Sequence, residues 1–440
     1  MASSPQQRSV LVRHVLATGE RRQLTEVPAG LFESKPRVSP DGKRLAFIRY
    51  RQGQSALFVM HLAGGEPTRV GEWSNLIGGL TWTPDGHELL FARPELSGRR
   101  LVRVVPGGGE PVAVPAAPYG AINPSVSLLR PDGTYRMALS GGQVDVGLRM
   151  IDLQAPRGGA TTLAAEPFCD ATRMDVPGRF SRDGTQVAFV SDRGGSQQVW
   201  VARADGSALR SLTNLPNATM NVGSWSPDGE SLVFDATVAG NTDLYVARVE
   251  VGSVQRMTDA PSAQYDAEWS RDGRWAYYAS TESGQSTIWK MPAGGGTPVQ
   301  LTTEVGFEPR ESPDGRSLYF VDRGRLHFLG LVATLKLLPI SGGTPTIVDA
   351  RVMPGAWDVT DAGIVFVVGR ASPLDTSTEP DALAMYEFAE DRVTKLGELG
   401  FRIAPFGSPR YLAVSGDLRW AIASHIDNWN RDIMVIDNFR

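Results

Sequence analysis

A four-residue turn of the type Ser-Pro-Asp-Gly recurs along this 440-residue chain and constrains its fold more than any other feature. Seven copies are explicit, at Ser39–Gly42, Thr83–Gly86, Arg130–Gly133, Ser181–Gly184, Ser226–Gly229, Ser270–Gly273 and Ser312–Gly315. Two degenerate copies follow in phase, at Thr360–Gly363 and Ser415–Asp417. From Gly42 to Gly363, successive glycines are 44, 47, 51, 45, 44, 42 and 48 residues apart, which is the period of four-stranded propeller blades.

Each repeat supplies four short β segments. Pro presets φ, Asp bonds its own backbone and Gly supplies a positive φ, so the turn predicts a hairpin. A β-rich run such as Arg44–Ile48 follows the turn, and a further run such as Ala56–Met60 comes after it. A Gly-containing turn then leads to a short fourth strand. Gly or Pro interrupts nearly every window that is long enough for an amphipathic helix, so the chain is predicted to be all-β.

The predicted architecture is one domain over residues 1–440, a closed β-propeller of nine four-stranded blades. Eight blades are the alternative, in which one degenerate repeat is an insertion. The N-terminal segments Val10–Val15 and Arg22–Thr25 look like the third and fourth strands of a blade, and Asp432–Ile436 looks like a third strand. We therefore expect the N-terminal strand to join the C-terminal blade and close the ring, because closure removes exposed sheet edges.

Charge and composition exclude several classes of partner. The formal net charge is −4 with no basic run, which excludes the electrostatic footprint of a nucleic-acid binder or a polybasic membrane patch. The single cysteine, Cys169, cannot form an internal disulfide. The sequence has neither a signal-peptide core nor a run approaching about 18 apolar residues, so we expect a soluble chain without membrane insertion. A periplasmic or extracytoplasmic position in a longer precursor stays open.

The sequence contains no hydrolase elbow, metal cluster or cofactor motif, so no catalytic, metal-binding or cofactor-binding residue is assigned and no cofactor is predicted. The segment Gly223–Pro227 lacks the final Gly of a nucleophile elbow, and Ser226 is expected to form a turn. The five histidines fall at different repeat positions, which does not favour a metal site; they are His14, His61, His87, His327 and His425.

Three sets of repeat-equivalent residues have predicted positions. Local turn bonding, rather than a carboxylate array, is expected for Asp41, Asp85, Asp132, Asp183, Asp228, Asp272 and Asp314. Packing between blades is expected for Trp82, Phe180, Trp225 and Trp269. Strand alternation points the neighbouring residues to the opposite face, and a position lining the central channel is expected for Arg37, Thr81, Arg179, Ser224, Glu268, Arg310 and Trp357, together with Asp266 and Glu308. The channel wall is either merely solvated or a recognition surface, and ligand-binding residues stay unassigned.

Three motifs resemble the TolB-type, WD-like propeller repeat: Trp225–Gly229, the Ser-Asp-Arg-Gly of Ser191–Gly194, and Leu-Thr strand endings such as Leu212-Thr213. The resemblance covers essentially the whole chain. The same repeat occurs in the propellers of TolB, of prolyl-oligopeptidase-type peptidases and of bacterial serine/threonine kinase sensor domains, and Ile436–Arg440 resembles the end of the last group. The resemblance implies a fold rather than a function.

Three functions follow as alternatives. The first is a non-catalytic scaffold, expected to be a monomer, that presents loops and a central channel to a protein or peptide partner. The second is the extracytoplasmic sensor domain of a longer kinase-like protein. The third is a carbohydrate- or peptide-processing enzyme that uses Asp266, Glu268 or Glu308 as acid and base. A buried carboxylate pair with a raised pKa in a pocket of the channel would favour the enzyme, and dispersed, exposed carboxylates would count against it.

Overall fold

The computed structural model describes all residues except 1–9, 28–30, 52–53, 76, 96–97, 116, 118–119, 128–133, 142–143, 155–161, 170, 172–173, 217, 239, 323–332, 369–379, 404–409, 430–431 and 440. The predicted turn Arg130–Gly133, with Asp132, and the histidine His327 lie outside the described residues. The part of the chain that is described consists of strands joined by turns and contains no helix, as the repeat predicts.

The first twelve strands are β1 (Val12–His14), β2 (Arg21–Gln23), β3 (Leu31–Val38), β4 (Arg44–Arg51), β5 (Gln54–His61), β6 (Thr68–Asn75), β7 (Gly78–Trp82), β8 (Leu89–Glu95), β9 (Gly98–Val104), β10 (Val112–Ala113), β11 (Ile122–Val126) and β12 (Tyr135–Gly141). The next twelve are β13 (Val144–Asp152), β14 (Ala165–Phe168), β15 (Asp175–Phe180), β16 (Gln186–Ser191), β17 (Gln198–Arg203), β18 (Arg210–Ser211), β19 (Thr219–Trp225), β20 (Ser231–Val238), β21 (Asn241–Arg248), β22 (Val254–Arg256), β23 (Gln264–Trp269) and β24 (Trp275–Ser280). The last twelve are β25 (Thr287–Pro292), β26 (Val299–Gln300), β27 (Phe307–Glu311), β28 (Ser317–Asp322), β29 (Ala333–Pro339), β30 (Thr346–Val359), β31 (Gly363–Val368), β32 (Ala382–Glu387), β33 (Arg392–Glu398), β34 (Leu412–Val414), β35 (Trp420–Trp429) and β36 (Asp432–Phe439).

The chain divides into two compact units, and the single domain predicted over residues 1–440 stays a prediction. Unit 1 is Met1–Gln143 with Trp429–Arg440, and unit 2 is Val144–Asn428. Within its described residues, unit 1 contains the four-stranded sheets β3-β4-β5-β6 and β7-β8-β9-β10, the three-stranded sheet β11-β12-β36, and the ribbon β1-β2. Buried apolar side chains fill the space between successive sheets, for example Leu57 and Leu80 between the first two.

The described residues of unit 2 form six four-stranded antiparallel sheets. Four of them are β15-β16-β17-β18, β19-β20-β21-β22, β23-β24-β25-β26 and β34-β35-β13-β14. The other two share the long strand β30, whose first half pairs with β29 and whose second half pairs with β31, so that β27-β28-β29-β30 runs into β30-β31-β32-β33. Apart from the two-stranded ribbon β1-β2, the described chain therefore has nine sheets, three in unit 1 and six in unit 2, and in sequence each spans one of the nine predicted turns.

The six sheets of unit 2 form a closed cycle. Six apolar clusters lie between successive sheets, and the sixth joins the sheet of β34 and β35 to that of β15 and β16 through side chains such as Ile422 and Phe189. The first strands β15, β19, β23, β27, β30 and β34 also contact one another in cyclic order. Unit 2 therefore closes with six sheets, where the sequence predicts a ring of nine.

The predicted closure by the N-terminal strand also differs from the observed pairing. Strand β1 pairs with β2, and the C-terminal strand β36 pairs with β12. The ribbon is held where it is because Leu11 and Leu24 pack on the apolar cluster of Leu45, Phe47 and Phe58. Strand β12 follows the third turn and β35 follows the ninth, and in the other repeats such a strand pairs with the next strand along the chain. Here the partners are exchanged: β12 pairs with β36, and β35 pairs with β13.

Close backbone packing of the inner strands in unit 2 depends on glycine. A Cβ on Gly223 would lie 2.4 Å from the carbonyl oxygen of Ala267 in the next sheet and 2.6 Å from that of Val233. A Cβ on Gly178 would lie 2.2 Å from the carbonyl oxygen of Ala188. Both glycines sit where the first strand slips its register against the second, so neighbouring backbones approach closely only without a side chain.

Candidate functional site

The inner strands of unit 2 bring five charged side chains together in a central charge cluster: Arg179, Glu268, Arg310, Asp358 and Arg410. Both carboxylate oxygens of Glu268 accept hydrogen bonds from Arg179 Nη2, at 3.1 and 2.9 Å. Arg310 Nη1 is 3.5 Å and Arg410 Nη2 is 3.8 Å from Glu268 Oε2. Arg179 Nη1 contacts Asp358 Oδ1, and Arg310 Nε lies 3.9 Å from the same oxygen.

Three guanidinium groups face two carboxylates in this cluster; Arg310, Asp358 and Arg410 are buried, and Arg179 and Glu268 keep 11% and 13% of their side chains exposed. Burial raises the pKa of Asp358, but Arg179, Arg310 and Arg410 outweigh that effect and hold its pKa below the ordinary value. Burial and the charge of Arg179 lower the pKa of Arg310 and, more strongly, that of Arg410. The two carboxylates therefore offset like-charge repulsion among the arginines.

A second chain of contacts, the carboxylate relay, links four consecutive sheets of unit 2 through Asp235, Asp266 and Glu308. Asp235 Oδ1 accepts the backbone N–H of Asp266 at 3.0 Å, and Asp266 Oδ2 accepts that of Glu308 at 3.1 Å. Glu308 Oε2 accepts the N–H of Gly355 at 2.8 Å and the indole N–H of Trp357 at 2.6 Å. Each carboxylate thus holds the backbone of the next inner strand.

Backbone conformation places the relay side chains. Asp266 and Glu308 have φ of 58° and 54°, in the left-handed region, at the point where β23 and β27 slip register against their neighbours. A residue in this conformation at a bulge turns its side chain away from the regular alternation. The repeated bulge explains why these two side chains reach the neighbouring sheet.

The pKa of the Asp235 carboxyl is displaced toward neutrality. Burial and the negative charge of Asp266 raise the pKa of Asp235 to about 7, against the opposing effects of the Asn221 amide, the Asp266 N–H and Arg410. Asn221 Nδ2 donates to Asp235 Oδ2 at 2.8 Å. Asp235 therefore changes its protonation state near neutral pH.

Most of the residues that the sequence predicts for the channel lie on the inner strands of unit 2. Arg179, Glu268 and Arg310 belong to the central charge cluster, Asp266 and Glu308 belong to the relay, and Trp357 donates to the relay. Ser224 accepts the backbone N–H of Trp269 at 2.7 Å. The two remaining predicted residues, Arg37 and Thr81, lie on β3 and β7 of unit 1, where their side chains donate to the carbonyl groups of Pro36 at 3.0 Å and of Trp82 at 3.5 Å.

Sequence reasoning missed Asp235, Asp358 and Arg410. The repeat does identify Asp358 once its register is set by Thr360, which takes the place of the turn Ser and whose hydroxyl contacts Gly363. Asp358 lies two residues before Thr360, just as Arg310 lies two residues before Ser312. Trp357 lies three residues before Thr360, so its assignment to this inner-strand position is one residue too early. Arg410 precedes the short strand β34, and Asp235 lies on a second strand, so neither occupies a repeat position that the pattern singles out.

Local turn bonding of the repeated aspartates is confirmed wherever the turn is described. The Ser hydroxyl donates to the Asp carboxylate at 2.5 to 2.7 Å in the turns of Asp41, Asp183, Asp228, Asp272, Asp314 and Asp417, and Thr83 does the same for Asp85. These hydroxyl bonds, with backbone N–H bonds, lower the pKa of the six Ser-bonded aspartates, at Asp272 to about 2. The turn carboxylates therefore serve the turns.

Two of the aromatic residues before the turns tie neighbouring sheets together. Trp82, Phe180 and Trp225 are buried as predicted, and Trp269 is partly buried. The indole N–H of Trp225 donates to the carbonyl of Arg179 in the preceding sheet at 3.0 Å, and that of Trp82 donates to the carbonyl of Arg37 at 2.9 Å. The first of these bonds fixes the strand that carries Arg179.

Trp225→Phe is expected to lower the free energy of unfolding by about 1–3 kcal/mol, because the buried Arg179 carbonyl loses its donor and part of the ring volume is lost. Trp269→Phe is the matched control: the indole N–H of Trp269 has no hydrogen-bond partner among the described residues, so its loss costs less. Urea unfolding of both variants gives the comparison. Equal losses would contradict the role given to the Trp225 hydrogen bond.

No helix in the described part of the chain is long and apolar enough to cross a membrane. In the same part of the chain, no group of three or more His, Cys, Asp or Glu side chains is placed to hold a metal ion. Burial raises the pKa of the Cys169 thiol to about 11, so this cysteine is protonated at neutral pH.

A closed cycle of four-stranded sheets with one turn motif per sheet defines a protein of the β-propeller class. The family model of the TolB beta propeller domain matches residues 217–336. The matched segment, the repeat turns and the six-sheet cycle of unit 2 give the chain the fold of a TolB-like β-propeller.

Curated relatives and solved structures give further similarities. Tricorn protease homolog 1 of Streptomyces coelicolor is 29% identical over 195 residues, which are 40% of this chain and 17% of that protein. The uncharacterized peptidase YuxL of Bacillus subtilis is 41% identical over 56 residues, 12% of this chain and 8% of that protein. TolB from Acinetobacter baumannii is 14% identical in the structural comparison, with a TM-score of 0.42 and 82% of both chains covered. The matches to the curated relatives thus span less than a fifth of their length.

Proposed function

We propose that this protein is a non-catalytic scaffold, acting as a monomer, that binds a protein or peptide partner through its loops and inner strands. The observation that carries the proposal is that the candidate acid and base groups are already held in ion pairs and hydrogen bonds within the fold. Glu268 faces three guanidinium groups, and Glu308 and Asp266 accept backbone N–H groups of neighbouring sheets. A general acid or base must exchange a proton with a substrate, and these carboxylates are instead occupied in holding the ring.

Rigidity supports the same proposal. The central charge cluster draws on the inner strands of several sheets in unit 2, and the relay spans four consecutive ones. A scaffold fixed in this way presents its connecting loops in constant positions, which lowers the entropy cost of binding a partner.

Peptide processing is the second candidate function. Asp235 and Asp266 form a buried pair in which the pKa of Asp235 is raised to about 7, and a carboxyl pKa raised by burial and a like charge is common at enzyme sites. The names of two relatives, a protease homologue and a peptidase, point the same way, although both proteins are much longer than their matches to this chain.

A single peptide pool separates the two functions. The purified full chain is immobilised and exposed to a library of random twelve-residue peptides, and both retained and newly formed peptides are identified by mass spectrometry. The scaffold predicts that related peptides are retained and that no new peptide ends form. New ends that appear with the wild type and disappear with Asp235→Asn or Glu268→Gln would favour processing. Retention of no peptide would overturn the scaffold.

A further inference from the structure

One sheet of unit 1 has fewer strands than the others. Among the described residues, the sheet β11-β12-β36 has three strands, whereas every other sheet that follows a repeat turn has at least four. Strand β36 takes the third position, and no other described strand pairs with its far edge. From Gly141 to Met137, β12 pairs with β36 in an unbroken register, so this edge is regular over five successive residues.

Four successive residues of this edge, Ile433 to Ile436, are apolar, and the first three of them are exposed. Ile433 is 82% exposed, Met434 38% and Val435 52%, whereas Ile436 is partly buried against the cluster of Leu90 and Met137. By strand alternation, Ile433 and Val435 share one face of the sheet, and Met434 and Ile436 share the other. The same four positions contain no Lys, Pro or acidic residue of the kind that protects edge strands, although Asp432 and Asp437 flank them in the strand.

We infer that the edge of β36 binds an extended peptide segment of a partner protein, which adds as the fourth strand of this sheet. The inference rests on the proposed function and names the surface and the kind of partner. The far edge of an antiparallel strand directs N–H and C=O groups outward at every second residue, and an incoming strand satisfies them. The partner's side chains beside Ile433 and Val435 would be apolar, and those facing Met434 would extend the buried side of the sheet.

Length favours a peptide over a second copy of this chain. Strand β36 has eight residues, whereas a standard interface between two folded proteins uses about 20–30 residues on each side. Two folded copies meeting edge to edge would be limited to this one strand. An extended segment can follow the strand and continue across both faces of the sheet.

The test uses a fluorescein-labelled probe peptide, Lys-Thr-Val-Thr-Val-Thr-Lys, and two versions of it that are N-methylated at one or the other set of alternate residues. Pairing with an edge needs the N–H groups of only one set. In fluorescence anisotropy with the full chain, we expect one methylated version to bind like the parent and the other to bind at least about tenfold more weakly. Equal affinities of the two versions would overturn the proposal.

Val435→Lys places a gatekeeper charge on the edge and is expected to weaken probe binding at least about tenfold. Val251→Lys is the matched control, because Val251 is a 73% exposed valine in a turn of unit 2, and its affinity should stay within about twofold. Unchanged binding by Val435→Lys, or a wild-type dimer in light scattering that this substitution dissolves, would overturn the proposal. If Val435→Lys retains the same library peptides as the wild type, the scaffold function is supported and peptide binding at this edge is contradicted. If the wild type retains no library peptide, the scaffold function itself is contradicted.

Discussion

Asp358→Ala is expected to lower the free energy of unfolding by about 3–5 kcal/mol, because it leaves buried guanidinium groups without a counter-charge. Asp358 is 1% exposed and contacts Arg179, and its oxygens also accept the N–H of Val359 at 2.9 Å and of Val414 at 3.0 Å. Without this carboxylate, three arginines face Glu268 alone. The contact to β34 is also lost, so the cycle of sheets loosens between β30 and β34. Urea unfolding at pH 7, followed by tryptophan fluorescence, measures the change.

Asp361→Ala is the matched control, since Asp361 forms an ion pair with Arg271 at 2.8 Å but is 75% exposed. An exposed pair of this kind contributes at most about 1 kcal/mol. Asp358→Asn separates charge from hydrogen bonding: it keeps an acceptor for Val414 and is expected to remain well below the wild type in stability. If Asp358→Ala and Asp361→Ala cost the same, the central charge cluster does not stabilise the ring.

The local structure was predictable because each repeated turn is determined by hydrogen bonds and backbone preferences of only a few neighbouring residues. A Ser-Pro-Asp-Gly turn such as Ser226–Gly229 specifies its own hydrogen bonds, and the strands on either side follow from alternation. The same locality placed Trp225 in the core and Arg179 and Glu268 on the inner strands. Strand type, turn chemistry and the direction of side chains therefore follow from the sequence.

Partner choice between distant strands was not predictable in this way. Strands β12 and β35 each end a hairpin in their own repeat, and both β13 and β36 offer an apolar strand to follow them. The local pattern is the same for either pairing, so it does not say that β36 joins β12 and that β13 joins β35. The six-sheet closure of unit 2 depends on that choice and on packing between residues far apart in sequence, such as Ile422 and Phe189. The same closure brings Arg410, which directly precedes β34, to 3.8 Å from Glu268 in the central charge cluster.

Raising the pH from 5 to 8 is expected to destabilise the wild type through Asp235, and Asp235→Asn should remove this effect. In the folded protein the pKa of Asp235 is about 7, whereas an unfolded Asp has a pKa of about 3.9. Between these values the folded state binds more protons than the unfolded state, so stability falls as the pH rises and levels off above about pH 7. Asp266 opposes ionisation of Asp235, and Asn221 and Arg410 only partly offset it.

Burial also raises the pKa of Asp175, to about 6, and that of Glu311. Both groups contribute to the pH dependence of stability equally in wild type and Asp235→Asn, so the difference between the two proteins isolates the contribution of Asp235. We expect the loss of unfolding free energy between pH 5 and 8 to be about 2–3 kcal/mol larger in the wild type. The two proteins should be closest at pH 5, where the neutral carboxyl and the amide are both uncharged and each can accept the Asp266 N–H. Asp361→Asn, which changes an exposed carboxylate, should keep the wild-type slope. If the unfolding free energy of wild type and Asp235→Asn changed with pH in parallel, Asp235 would be ionised in the folded protein from pH 5 to 8. The carboxylate relay would then hold Asp235 in its charged form.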